Sequence, residues 1–302
     1  MLRVEIMPET LSLRSDQLEK YMRLAIAEAE SSLREHNSGF GAVIVRNDQV
    51  IVQAHDTDTS SGDPTAHAEM TAIRSASARF GKNLNGCHLI ATHEPCPMCS
   101  TAILWAGIRD VAFGFSIKEG IQQGRKRVDI PLKEIFQRAE KDVRIHERVL
   151  HRDCSILYNQ SVRDNIKVLR DADEEKLTVM ARRLSKKRIS WYANKGRDKG
   201  VTGEGPMMSA YRVFLEKLAI TEDDAPAVHC SSTKIVIHSK NFCPTLEACR
   251  ILGMDTRFVC RHLTEMPTTD LLRKIHPGLR FTRNYDKIRP HSAYCEEMIV
   301  LE

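Results

Sequence analysis

The chain has 302 residues, 42% of them hydrophobic and 28% charged, with a formal net charge of +5. That length accommodates two domains. No apolar run reaches the ~18 residues of a membrane span, and so small a positive charge does not by itself argue for a nucleic-acid surface.

Taken in chain order, "MLRVEIMPETLSLRSDQ" lacks the apolar core of a secretory signal. Nine cysteines are too few for a disulfide scaffold, and a C-x-x-C pair among them points to metal or redox use, so the expected location is a reducing cytoplasm. Residues 16–35 carry apolar positions at helical spacing and predict an amphipathic helix. "FGAVIVRNDQVIVQAHD" (40–56) predicts a hairpin, two Val/Ile-rich runs around the turn "RNDQ". A helix is predicted over 63–81, capped by Asp63, with Pro64 in its first turn and Gly81 at its end. "GCHLIATH" (86–93) reads as a buried strand, 95–107 as a second helix, and "RDVAFGFS" (109–116) as a further strand. The order α-β-β-α-β-α-β indicates an α/β sandwich with a mixed sheet.

Beyond about residue 150 the texture changes. Residues 161–199 are helix-like and highly charged, and "KGVTGEGP" (199–206) is a Gly-rich break. Strands follow within 227–239, a short helix at 243–253, and closing strands at "FTRNYDK" and "CEEMIVLE". The expected divisions are a first domain over 1–155, a basic helical connecting segment over 156–205, and an α+β domain over 206–302.

"PTAHAEMTA" (64–72) and "EPCPMCSTA" (94–102) carry the chemistry. Zinc accepts neutral imidazole nitrogen and thiolate sulfur, and a catalytic zinc keeps one position open. His67, Cys96 and Cys99 supply three such ligands. The cysteines stand at i and i+3, on one face of a first helical turn whose free N–H groups stabilise thiolates. His67 is expected in the first turn of the preceding helix, and two such helices with a strand between them bring their N-termini together. Glu69, two residues beyond His67, lies off the ligand direction and suits a proton shuttle beside the metal. The joint H-x-E…P-C-x-x-C pattern is far more specific than either half.

On these residues, together with "GFGAVIV" (39–45) and "ILWAGIRDVAFG" (103–114), the stretch 16 to about 137 resembles the cytidine deaminase superfamily. It is most similar to the guanine and nucleoside deaminase branch, and next to tRNA adenosine deaminases. The resemblance implies a three-layer sandwich around a mixed five-stranded sheet, a homodimer or larger oligomer, a small heterocyclic substrate, and hydrolytic removal of an exocyclic amine. It implies Zn2+ held by His67, Cys96 and Cys99, Glu69 as general acid and base, and substrate contacts from Asp56, Ala68 and Phe40. The alternative that it carries is adenosine deamination in tRNA, and a non-catalytic zinc module is a third reading, against which Glu69 argues.

Two departures stand out. Gly39 occupies a place where the family usually has Pro. Asp56, eleven residues before His67, stands where the guanine and tRNA-adenosine branches usually have Asn. Asn donates and accepts, whereas ionised Asp only accepts. Asp56 therefore either selects a substrate edge that donates a proton, or caps the turn at 56–63, or is protonated in the pocket. The basic run at 182–199, with Trp191 and Tyr192 inside it, is either a phosphate-tracking surface or a solvated helix face, and the latter is preferred. Residues 165–298 resemble the L-2-amino-thiazoline-4-carboxylic acid hydrolase family through "CP" (243–244), "FTRNYDK" (281–287) and Cys295 before acidic residues. Cys243, Cys260 and Cys295, with His238, His262 and His276, either form a thiol–imidazole site or are buried structural groups.

Overall fold

The structure, a computed structural model, describes residues 13–194 and 205–302. The N-terminal stretch before residue 13, most of the Gly-rich break and the end of the basic run therefore lie outside the described residues. The chain divides into two compact units, residues 1–163 and 164–302.

The first unit begins with α1 (Ser15–Arg34), then the hairpin β1 (Gly41–Arg46) and β2 (Gln49–His55). Asn47 and Asp48 both have positive φ, the left-handed pair that a two-residue hairpin turn requires. The short α2 (Asp58–Ser61) leads to α3 (Ala68–Phe80), β3 (Cys87–His93), α4 (Pro97–Trp105) and β4 (Asp110–Phe115). Then come α5 (Ile117–Gln122), α6 (Leu132–Arg138), β5 (Arg144–His146) and α7 (His151–Tyr158). The strands form a mixed sheet of order β2-β1-β3-β4-β5. β1 is antiparallel to β2 and β3, while β3, β4 and β5 run parallel.

Helices cover both faces, so β3 and β4 are buried along their whole length. On one face Ile44, Leu89, Val111 and Phe113 pack with Ala72 of α3, Ile103 of α4 and Phe136 of α6. On the other, α1 comes so close that a Cβ on Gly41 would lie 1.9 Å from the Ala25 carbonyl oxygen. Gly114 of β4 likewise makes room for Cys154 of α7, whose Sγ would be 2.2 Å from a Cβ there. These contacts make the three layers expected of the fold.

The helix predicted over 63–81 begins only at Ala68. Asp63 caps a turn instead: its Oδ1 accepts from the Thr65 backbone N–H at 2.8 Å and the Thr65 hydroxyl at 2.7 Å, and the backbone is extended at His67 before the helix starts. His67 is thus the N-cap residue rather than a member of the first turn. The second helix is shorter than 95–107 in the same way, because Cys96 takes the N-cap and Pro97 the first helical position.

In the later part of the chain α8 (Gln160–Leu169) and α9 (Glu174–Asn194) precede α10 (Gly205–Leu218), β6 (Ala227–Cys230) and β7 (Lys234–Ser239). α11 (Pro244–Leu252), α12 (Thr256–Cys260), a π-helical turn (Arg261–Glu265) and α13 (Met266–Leu272) lead to β8 (Leu279–Arg283) and β9 (Cys295–Leu301). The sheet is antiparallel, of order β6-β7-β9-β8. Its core joins Tyr211 and Phe214 of α10 to Ile235, Ile237, Phe281 and Ile299. α9 does not stand apart as a connecting segment. Ser185 donates to Asp270 Oδ2 at 2.6 Å and Arg188 bonds to Thr268 of α13, so the helix is part of the second unit. The two units divide at 163/164, so the described part of the stretch 156–205 is shared between them.

Candidate metal centre and its pocket

Helices α3 and α4 each start in extended backbone at a residue whose side chain can ligate a metal. His67 is the N-cap of α3 and Cys96 that of α4, with Cys99 three residues on. Their N-termini meet as the strand between them predicts. His67 Nδ1 lies 3.6 Å from Cys96 Sγ and 3.5 Å from Cys99 Sγ, and the sulfurs are 3.6 Å apart. Tetrahedral zinc, with bonds of ~2.3 Å to sulfur and ~2.0–2.1 Å to nitrogen, sets S···S near ~3.8 Å and S···N near ~3.6 Å. The three donors therefore fit zinc in number, type and spacing, and leave a fourth position for water. Among the described residues this is the one cluster of three ligand atoms within 4.8 Å of one another.

The electrostatics favour thiolate at one of the two cysteines. The hydrogen bond from Cys99, with His67 next in effect, holds the Cys96 thiol down to about 4, while Cys99, which keeps the shared proton, is held up. The hydrogen bond to Cys96 raises His67. Glu69 is only 7% exposed, and burial, followed by the charge of Cys96, pushes its carboxyl up to about 7. A carboxyl poised near neutrality beside the three donors is suited to taking up and giving back a proton.

His67, Glu69 and Cys96 line a cavity of about 100 Å³. Its wall includes Phe40, Asp56 and Glu69 from the sequence reading, and Asp58, His93, Glu94 and Arg127, which that reading did not single out. Ala68, the first residue of α3, is buried among the apolar side chains of the sheet. Phe40 stacks on Tyr158, its ring centroid 5.4 Å away, and Arg127 lies over its other side at 5.1 Å.

Asp56 is fully buried and accepts three hydrogen bonds. Ser32 Oγ donates to Oδ1 at 2.6 Å, Phe40 N–H to Oδ1 at 2.7 Å, and Ser38 N–H to Oδ2 at 2.7 Å. Burial pushes the carboxyl up, while the hydrogen bonds from Ser32, Phe40 and Ser38 pull it down. The carboxylate thereby fixes the turn that carries Phe40 into the pocket. Glu94 does similar work on the opposite side: Oε2 accepts from Ile117 N–H at 2.9 Å and Oε1 from Leu132 N–H at 3.0 Å, which ties the starts of α5 and α6 to the metal loop. Glu94 stands in the quoted "EPCPMC" and could have been marked from it. Arg127 comes from a charged stretch with no pattern to mark it.

The histidines of the second unit have partners other than thiols. His238 lies 3.3 Å from Glu296 and stacks on Tyr294, His262 pairs with Glu174 at 3.7 Å, and His276 accepts from Gly278 N–H. Burial pushes the thiols of Cys243 and Cys260 up, the latter to about 11, which disfavours nucleophilic thiolate. The basic helix is partly turned inward, with Arg188 buried and Lys217 4.6 Å over the Trp191 ring.

Residues 15–115 match the family model described as cytidine and deoxycytidylate deaminase zinc-binding region. The chain is 41% identical over 96 residues to the tRNA-specific adenosine deaminase of Aquifex aeolicus (strain VF5), covering 32% of this chain and 64% of that protein. It is 36% identical over 124 residues to the guanine deaminase of Bacillus subtilis (strain 168), covering 38% of this chain and 80% of that protein. The X-ray structure of guanine deaminase from Bacillus subtilis aligns with 40% of this chain and 90% of its own, at 30% identity and a TM-score of 0.35.

Proposed function

Because this chain belongs to the cytidine and deoxycytidylate deaminase family, we propose that it is a zinc-dependent hydrolytic deaminase of a small amino-substituted heterocycle, guanine-like, that releases ammonia. The observation that carries the reading is Glu69: a buried carboxyl beside three donors spaced for zinc, on the wall of a cavity. A structural zinc site has no use for such a carboxyl. Zinc, when bound by His67, Cys96 and Cys99, supplies a water whose pKa is lowered toward ~7.

The chain's own residues do the rest. Glu69 takes the proton of the attacking water and delivers it to the ring nitrogen next to the amino-bearing carbon. It then takes the proton of the hydroxyl newly formed on that carbon and passes it to the amine, the carbon–nitrogen bond breaks, ammonia leaves, and a carbonyl remains. Phe40 offers its ring to the heterocycle, held in place by Asp56 through the Ser32–Ser38–Phe40 contacts. The start of α3, with His67 and Glu69 on either side of Ala68, borders the pocket beside the ligand cluster.

A homodimer or larger oligomer suits the same unit. Trp105 at the end of α4 is 84% exposed and borders a groove with Leu104 of α4 and Ile135 of α6. No described helix is long and apolar enough to cross a membrane. A reducing cytoplasm is the compartment that keeps the thiolate ligands available. A screen of ammonia release over purines, pyrimidines, pterins, triazines and aminothiazolines tests the reading, with zinc measured in the same preparation. Release from a free base supports it. Ammonia from none of them, together with inosine formed in a tRNA transcript, would move the assignment to RNA.

A further inference from the structure

Holding a ring in this pocket needs polar atoms that the protein does not already use for itself. Both oxygens of Asp56 and both of Glu94 are engaged by the protein's own donors. Asp58 accepts from Thr59 N–H and from the Ser38 hydroxyl. Tyr158 OH is bonded to Thr92 Oγ1 at 2.7 Å.

His93 differs. It is the last residue of β3, three before Cys96, lines the cavity, and is 4% exposed. Its Nδ1 is 2.9 Å from the Glu94 backbone oxygen. A carbonyl oxygen can only accept, so Nδ1 carries the hydrogen. Phe40, Phe115 and Tyr158 stand edge-on around the imidazole, with centroids 5.4, 5.7 and 5.2 Å away, and Arg125 and Arg127 disfavour a second positive charge. Burial holds its pKa down to about 4. The ring is therefore neutral, and Nε2 presents a lone pair. Among the described residues that line this cavity, Nε2 is the buried side-chain atom without a partner. Gly120 of α5 lies beside it, and a Cβ there would sit 3.4 Å from Nε2. A buried acceptor left unpaired is unfavourable, and an occupant that brings a donor relieves it.

We propose that His93 is a specificity-determining residue of the deaminase site, its Nε2 accepting a hydrogen bond from a ring N–H of the substrate. The inference rests on the deaminase reading and narrows it. Guanine carries ring N–H groups in its common forms. Adenosine has none, because N1, N3 and N7 are acceptors and N9 carries the sugar. The site is thus built for a free base or lactam with a ring N–H, and against adenosine in RNA.

The test compares the zinc-loaded full chain with His93→Leu and His93→Gln on guanine and on 1-, 7- and 9-methylguanine. For wild type, methylation at one position should lower kcat/KM by roughly tenfold to a hundredfold, the worth of one buried hydrogen bond. In His93→Leu that ratio should fall to near one, because guanine itself loses affinity. KM should rise with kcat little changed, since the contact is made before and during reaction alike. Leu fills similar space, so a purely steric penalty from the methyl group would survive it. His93→Gln, whose amide oxygen reaches the place of Nε2, should restore the preference, whereas His93→Asn reaches only the place of Nδ1 and should not. An unchanged ratio in His93→Leu overturns the proposal. If that variant does not fold, equal ratios in the Gln and Asn variants do so. Equilibrium dialysis of the same bases separates the two readings: the expected binding pattern without ammonia release supports His93 and removes the deaminase assignment. Binding of none of these bases by wild type overturns the proposal.

Discussion

Helices α4 and α11 begin alike. Cys96 and Cys243 each hold the N-cap in extended backbone, and each is followed by Pro at the first helical position. What stands around the two sulfurs differs. Three residues beyond Cys96 comes Cys99, on the same face, and His67 arrives from the start of another helix. Three residues beyond Cys243 comes Leu246. The Cys96 thiol is pulled down to about 4 by Cys99 and His67, whereas burial pushes Cys243 up. The free N–H groups of a helix start are common to both, so they do not decide the outcome. Convergence of a second and third ligand does. The same contrast runs through the buried polar groups. In the second unit Ser239 donates to Glu297, whose carboxylate also pairs with Arg283 at 2.7 Å, while Arg283 in turn donates to Thr264. That network closes on itself. In the first unit Glu69 and His93 are buried facing a cavity.

The most severe way to break the comparison is to take one leg from the cluster. Cys96→Ala, Cys99→Ala and His67→Ala should each lose the zinc, expected at about one per chain in the wild type, and with it all turnover. Chelation of the wild type should do the same, reversibly on adding zinc. Elemental analysis that found full zinc in Cys96→Ala would refute the site.

Glu69→Ala sharpens it, because it leaves the ligands alone. That variant should fold and keep its zinc, yet lose about 10²–10⁴ in turnover, the usual contribution of a general acid and base. Near-normal rates would show that the buried carboxyl has no part in proton transfer.

Why the first unit could be read further than the second is a matter of local codes. Alternation with a turn at 47–48, capping residues and the H-x-E and C-x-x-C spacings are all short-range, and they carried the hairpin, the helices and the three ligands. Four of the five strands and the mixed character of the sheet were legible in the same way, whereas the fifth came only with the family resemblance, because β5 is three residues long and no pattern marks it. The helix start at 68 was not legible, because Asp63 and Pro64 suit a first helical turn as well as they suit the capped turn that forms. His93 and Arg127 were invisible for another reason. What makes each one matter is its surroundings, brought together from β3, α5 and the stretch before α6. In the second unit Cys243, Cys260 and Cys295 had no spacing rule to join them to a histidine, and the three histidines found carboxylate, backbone or aromatic partners instead.

Asp56→Asn probes the carboxylate that holds the pocket turn. An Asn oxygen at Oδ1 keeps the bonds from Ser32 and Phe40, but its NH2 then faces Ser38 N–H, donor against donor. Stability should drop by about 1–3 kcal/mol, read as a lower urea midpoint with an unchanged slope. If Asp56 also touches the substrate, the relative kcat/KM for guanine and adenosine should shift. If it only fixes the turn, both should fall together. A variant as stable as wild type would mean that the three bonds contribute nothing.

Cys243→Ser is the mildest change and the most direct test of the comparison. The side chain of Cys243 makes no capping hydrogen bond, although the backbone at its position is that of an N-cap. Ser is among the preferred residues there, and its oxygen can accept from the N–H three residues on, that of Leu246, for a gain of about 0.5–1 kcal/mol. Against this stands the loss of a buried sulfur, a small apolar group, for a more polar one, of similar size and opposite sign. The two nearly cancel, so stability should stay within about 1 kcal/mol of wild type, a few degrees in Tm at most. Zinc content and deaminase turnover should not change, while Cys96→Ser, the same replacement at the matching position of α4, should lose its metal. If Cys243→Ser instead released zinc or cost several kcal/mol, the likeness between the two helix starts would extend to their function, and the distinction drawn here between converged and isolated thiols would fail.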